Sequence, residues 1–135
     1  MERTAGILMP ISSLPGKYGI GCFNLKAYEF VDFLRDAGQT YWQILPIHPT
    51  SYGDSPYQSF STFAGNPYFI DLEALIAEGV LSNDECDSVF FGDEEDDINY
   101  AALYEGRKIL LTMAYERSRI SENPEYQKFI ADNGW

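Results

Sequence analysis

Residues 5–45 read as strand, helix and strand in succession, and that order constrains the fold more than any other feature of the chain. Residues 5–9 are a short apolar run closed by Pro10, the pattern of a buried strand. Asn24 is a good N-cap, and Ala27, Phe30, Val31, Leu34 and Ala37 follow it at helical spacing. Gly38 then stands where a left-handed residue ends a helix. Residues 40–45, rich in β-branched and aromatic side chains, form a second strand closed by Pro46. Such a unit places its two strands parallel, with a right-handed crossover.

Two parallel strands do not make a stable sheet, because parallel sheets need both faces covered and further neighbours. Either helices supply most of the packing, or the chain is the beginning of something larger. The second reading is favoured because the pattern stops at Trp135 inside a helix, without a cap. As the first two strands of a (β/α)8 barrel, these strands bring the loops after Met9 and after Leu45 together on the C-terminal face, where such barrels place their active sites. The loop carrying SSLPGKYGIG and the loop carrying SYGDSPYQSF then form adjacent walls of one cleft.

The second of these loops, residues 51–68, reads SYGDSPYQSFSTFAGNPY. Loops are normally polar and poor in aromatics. Tyr52, Tyr57, Phe60 and Phe63 beside Ser, Asn, Asp and Gln suit a ligand with apolar faces and many hydroxyls, as sugars are. The alternative is an aromatic loop folded onto its own core. Downstream, Asp71 caps a short helix running to Glu78, with Leu72, Leu75 and Ile76 turned inward and Gly79 as its stop. A longer helix is expected over residues 100–119, with Leu103, Leu110, Leu111 and Ala114 as its apolar positions, and a last one from Pro124 towards Trp135.

Charge narrows the partners. The net charge of −12 argues against nucleic acid and against an anionic membrane surface, both of which need a basic face. Eight of the acids fall within residues 84–97, a stretch without a single basic residue. A calcium loop alternates its ligands around a fixed glycine, a pattern missing here, so the stretch is read as a solvated, mobile connection. Cys22 and Cys86 lie far apart, His48 is the sole histidine, and no plausible metal-ligand set exists. With no signal peptide and no run of membrane-spanning length, the protein is expected to be cytoplasmic with reduced thiols.

GILMPISSLPGKYGIG, followed by AGQTYWQILPIHPTSYGDSPYQSFSTFAGNPYFIDL, closely resembles the amino-terminal region of the amylomaltases, the 4-alpha-glucanotransferases or disproportionating enzymes of glycoside hydrolase family 77. The likeness is dense from about Ala5 to Leu81; from Ser82 onward it is to the general layout only. The resemblance implies an α/β fold: the first two βα units of a (β/α)8 TIM barrel followed by an inserted helical segment, incomplete in this chain. Residues 1–81 are then the first βαβ unit with a substrate loop at 46–70, and residues 82–135 an acidic connection and helical insertion, truncated at its end.

The same resemblance implies an enzyme that moves a segment of an α-1,4-glucan to the 4-hydroxyl of an acceptor glucan or glucose by retaining double displacement. The carboxylates that do this lie on later strands in the family, so no catalytic residue is expected here, the fragment alone is expected inactive, and no cofactor or metal is called for. Ser55 and Tyr57 match loop residues lining the cleft near the donor sugars, and Tyr52 a position linked in some relatives to a second, non-catalytic glucan site. Pro56 stiffens the backbone between Ser55 and Tyr57. Partners are maltooligosaccharides and α-1,4-glucans; oligomeric state is left open. His48 departs from the family, where glycine is common before Pro-Thr. Asp54 is expected to fix its loop, Asp71 to cap a helix, Trp42 to face the core and Gln43 the opposite side. The competing class is a freestanding non-catalytic glucan-binding module; a third reading is an acidic interaction domain. Unpaired sheet edges predict poor solubility or partial order for the isolated chain.

Overall fold

The computed structural model describes residues 3–93 and 97–134. β1 (Gly6–Leu8) and β2 (Tyr41–Gln43) pair in parallel, Gly6 facing Tyr41 and Leu8 facing Gln43, with α1 (Leu25–Asp36) between them in sequence. The strands are shorter than the apolar runs that announce them. The N–H of Met9 still donates to the Gln43 carbonyl at 3.0 Å, and Pro10, which has no N–H, ends the ladder.

The local signals around α1 work as expected. The Asn24 side chain accepts from the N–H of Lys26 at 3.0 Å. Gly38 adopts φ +68°, a conformation that costs glycine nothing, and its N–H donates to the Arg35 carbonyl. Ala27 and Leu34 are buried, and Phe30 packs edge-on against Trp42 with ring centroids 4.9 Å apart. Trp42 thus faces the helix, and its Nε1 donates to the Met9 carbonyl at 2.8 Å. The buried stripe is narrower than the spacing predicts, since Val31 is half exposed and Ala37 lies at the surface.

β1 is not the buried strand its composition predicts. Leu8 is 57 % exposed, and Tyr41 and Gln43 share its uncovered face. The reason is geometric: side chains of a strand alternate between two faces, α1 covers the face of Trp42 only in part, leaving Ile7 41 % exposed, and nothing among the described residues covers the other.

A second, larger core joins the loop after β1 to three helices, α2 (Leu72–Ala77), α3 (Asn83–Asp87) and α4 (Tyr100–Ser118), and α5 (Pro124–Asn133) follows outside it. Leu72, Cys86, Leu103 and Leu110 are its most enclosed apolar side chains, with Tyr18, Ile20 and Tyr68 packed among them; α5 contributes no buried residue. The Asp71 side chain accepts from the N–H of Glu73 at 3.0 Å and starts α2, with Leu75 and Ile76 half-buried against the core.

The acidic stretch corrects the sequence reading. It opens with an ordered helix rather than a solvated connection. Ser82 and Glu85 form a reciprocal capping box at the start of α3, where negative charge is favourable beside unsatisfied N–H groups. Glu85 also pairs with Arg117 of α4 at 2.7 Å, Asp87 pairs with Lys17 at 2.8 Å, and Cys86 between them is buried. Glu94, Glu95 and Asp96 lie outside the described residues, as does Trp135. No helix among the described residues is long and apolar enough to cross a membrane.

Candidate functional site

The loops that follow the two strands meet. Ser12 stands on one side, Thr50, Asp54 and Pro56 on the other, and Tyr68 and Tyr100 complete a cleft of about 140 Å³. That is below the roughly 300 Å³ at which ligand pockets for drug-sized molecules begin, so these residues alone do not enclose a ligand of that size.

Close packing holds the first loop. The N–H of Gly21 donates to the Ser12 carbonyl at 3.2 Å, an approach a side chain would prevent, because a Cβ on Gly21 would press on the carbonyl oxygens of Ile11 and Leu14. The second loop is built from turns. Asp54 adopts φ +55°, its N–H donates to the Ser51 carbonyl at 3.0 Å, and its side chain accepts from the Thr50 hydroxyl at 3.5 Å. The N–H of Ser51 reaches across to the Gln58 carbonyl, and that of Asn66 to the Ile47 carbonyl at 2.8 Å. Asp54 therefore fixes the loop, as its position before Ser-Pro suggests.

The three residues singled out from sequence sit on this scaffold but do not line the cleft; their neighbours Asp54 and Pro56 do. Ser55 is half-buried, and its Oγ accepts from the N–H of Tyr57 at 3.3 Å. Tyr57 is 74 % exposed and Tyr52 is fully exposed, so neither ring is a core ring in this chain. Phe60 and Phe63 are exposed alongside them. His48 is half-buried on the entry to the loop, and Gln43 is exposed.

Sequence reasoning passed over two residues of this region, one in the cleft lining and one bonded to the loops behind it. Tyr100 lines the cleft, with its ring 6.5 Å from that of Tyr68. Burial pushes the phenol pKa of both tyrosines up, and the negative charge of Asp54 adds to the effect. Both hydroxyls therefore keep their protons and can act as donors. Arg107 is the second, and its signal was a lone cation on an apolar stripe, between Leu103 and Leu110. Among the described residues, no group of His, Cys, Asp and Glu side chains is arranged to hold a metal ion.

A cleft beyond the carboxyl ends of parallel strands places the molecule among α/β proteins, which bind ligands there. Residues 9–135 match the 4-alpha-glucanotransferase family, and the chain belongs to that family. It is 50 % identical to the 4-alpha-glucanotransferase of Streptococcus pneumoniae over 98 % of its length, covering 26 % of that protein. With the Clostridium butyricum 4-alpha-glucanotransferase it shares 54 % identity over 92 % of its length, again covering 26 % of the relative. Among solved structures, an amylomaltase from Streptococcus agalactiae in complex with acarbose superposes with a TM-score of 0.86 at 44 % identity, over 97 % of this chain and 26 % of that one. The chain thus spans about a quarter of the length of the relatives it matches. The family match extends through the helical segment to residue 135, further than the dense likeness read from the sequence alone.

Proposed function

We propose that the chain is the amino-terminal part of a cytoplasmic 4-alpha-glucanotransferase, the first two βα units of its (β/α)8 barrel, and that it supplies one wall of the glucan cleft. The match to glucanotransferases along nearly the whole chain carries this reading. The reaction is a retaining double displacement. A carboxylate nucleophile forms a covalent glycosyl-enzyme, a second carboxylic acid protonates the leaving oxygen, and an acceptor sugar hydroxyl replaces water in the second step. Those carboxylates belong to later strands, so residues 1–135 are inactive alone.

The wall's task is to hold the glucan. The Tyr57 ring stacks on the CH face of a sugar while its hydroxyl hydrogen-bonds, and Ser55 and Pro56 fix its backbone. Tyr52 serves a separate, non-catalytic glucan contact earlier in the same loop. Filling the cleft with acceptor keeps water out and favours transfer over hydrolysis.

The full-length gene product, given maltotriose, is expected to yield glucose and longer chains without a net rise in reducing ends. A steady rise in reducing ends would instead define a hydrolase. The second reading, a freestanding glucan-binding module, draws on the exposed Tyr52, Tyr57, Phe60 and Phe63. It requires saturable heat on titrating residues 1–135 with maltoheptaose, and a flat titration of a folded sample removes it.

A further inference from the structure

Arg107 sits on the apolar stripe of α4 and is only 2 % exposed. Its Nη1 donates to the Ile70 carbonyl at 2.7 Å and its Nη2 to the Tyr18 carbonyl at 3.3 Å. The Phe91 ring lies 6.0 Å from the guanidinium carbon. Among the described residues no carboxylate comes within ion-pairing distance of it. Enclosing a cation without an ion-paired carboxylate is unfavourable, and burial lowers its pKa, opposed in part by the more distant charge of Asp71. A leucine would complete the stripe without that cost. What arginine adds is a rigid fork whose separate nitrogens reach two acceptors at once.

The two acceptors belong to the two loops that form the cleft, behind the residues that line it. Tyr18 lies in the loop after β1, which carries Ser12; Ile70 closes the loop after β2, which carries Thr50, Asp54 and Pro56. Beside the fork, the N–H of Phe23 donates directly to the Phe69 carbonyl at 3.4 Å. About two turns before Arg107 on the same helix, Tyr100 lines the cleft.

We propose that Arg107 is a positioning residue for the glucan: it sets the separation of the two loops and ties both to α4. The width of the cleft is thereby fixed from the helical segment, by a side chain that touches no sugar. This rests on the cleft being the glucan site.

The test compares the full-length gene product with its Arg107→Lys and Arg107→Met variants. Lysine keeps the charge, but its single ammonium reaches the carbonyl of one loop only; methionine reaches neither. The expected result is a KM for maltotriose raised about tenfold in Arg107→Met and by less in Arg107→Lys, with kcat within about twofold, since 1.4 kcal/mol of lost positioning is a factor of ten. Hydrogen exchange should quicken at Gly21 and Asn66, one amide in each loop, while the amides of α4 stay protected. Unchanged KM in folded variants, or exchange that quickens uniformly along the chain, would overturn the proposal and leave Arg107 a packing residue. If the unsubstituted protein fails to disproportionate maltotriose, the glucan reading falls, and exchange at the two loops still decides whether Arg107 clamps them.

Discussion

Replacing Tyr57 by alanine separates a sugar platform from a structural ring. The side chain is 74 % exposed, so truncation removes little packing, and stability should change by no more than about 0.5 kcal/mol. The loop turn should survive as well, because the Ser55 Oγ bonds the backbone N–H of residue 57, which every substitution except proline retains. Binding is a different matter. A tyrosine buries about 150–250 Å² when fully enclosed, and stacking one face on a sugar removes about 80 Å² of it from water. At about 25 cal/mol per Å² that is about 2 kcal/mol, or about thirtyfold in KM for maltotriose. Tyr57→Phe keeps the ring and loses one hydrogen bond of about 1 kcal/mol, for about a fivefold loss. The assay is steady-state disproportionation by the full-length gene product, with a thermal melt of each variant alongside. A KM for Tyr57→Ala within twofold of the parent would refute the reasoning, as would a Tm drop of many degrees.

Further outcomes follow from the packing and the charges. Leu103→Ala, in the enclosed core of α4, should cost about 2–5 kcal/mol, read as a lowered denaturation midpoint. Gly21→Ala should cost about 1–3 kcal/mol, because the new methyl meets carbonyl oxygens that cannot yield as a side chain would, and the melt of the variant measures it. Arg117 and the Ser82 hydroxyl and N–H hold the Glu85 carboxyl down from 4.5 to about 2. A depressed folded-state value means the fold favours the ionised form, so this stabilisation is present above about pH 4.5 and fades as pH falls towards 2. Melts across that window should show Glu85→Gln with a flatter acid limb than the parent. Burial, reinforced by the charge of Asp71, pushes the Cys22 thiol up to about 11, so iodoacetamide at neutral pH should label it slowly in the native protein and quickly after denaturation.

The parts of the fold that were legible in the sequence are those decided by neighbours a few residues apart. Asn24 and Asp71 start helices because their side chains reach an N–H two residues on, and Gly38 ends one because its backbone turns left-handed. The acids of residues 84–97 misled because charge density was weighed above capping. The Ser82–Glu85 spacing was a helix signal in plain view, and only the fold shows Arg117 and Lys17 arriving as counter-charges. The exposure of β1 was not legible, since an apolar run carries no mark of which face finds a cover. In the site, the meeting of the two loops followed from strand order. Tyr100 and Arg107 did not, because their partners at Tyr68, Ile70 and Tyr18 are distant in sequence.

The reach of Arg107 also orders the folding reaction in time. Pairing Gly6 with Tyr41 and Arg107 with Ile70 closes loops of similar length, the latter 37 residues, whereas the fork must find Tyr18 across 89. Each doubling of a closed loop costs about 0.6 kcal/mol of chain entropy, so the bond to Tyr18 is the late event and the clamp is complete only when it forms. The scaffold therefore assembles before the cleft takes its final width. A slip in docking α4 would leave a molecule with native strand pairing and loops still unset, a species that circular dichroism would pass as folded and that a glucan would not.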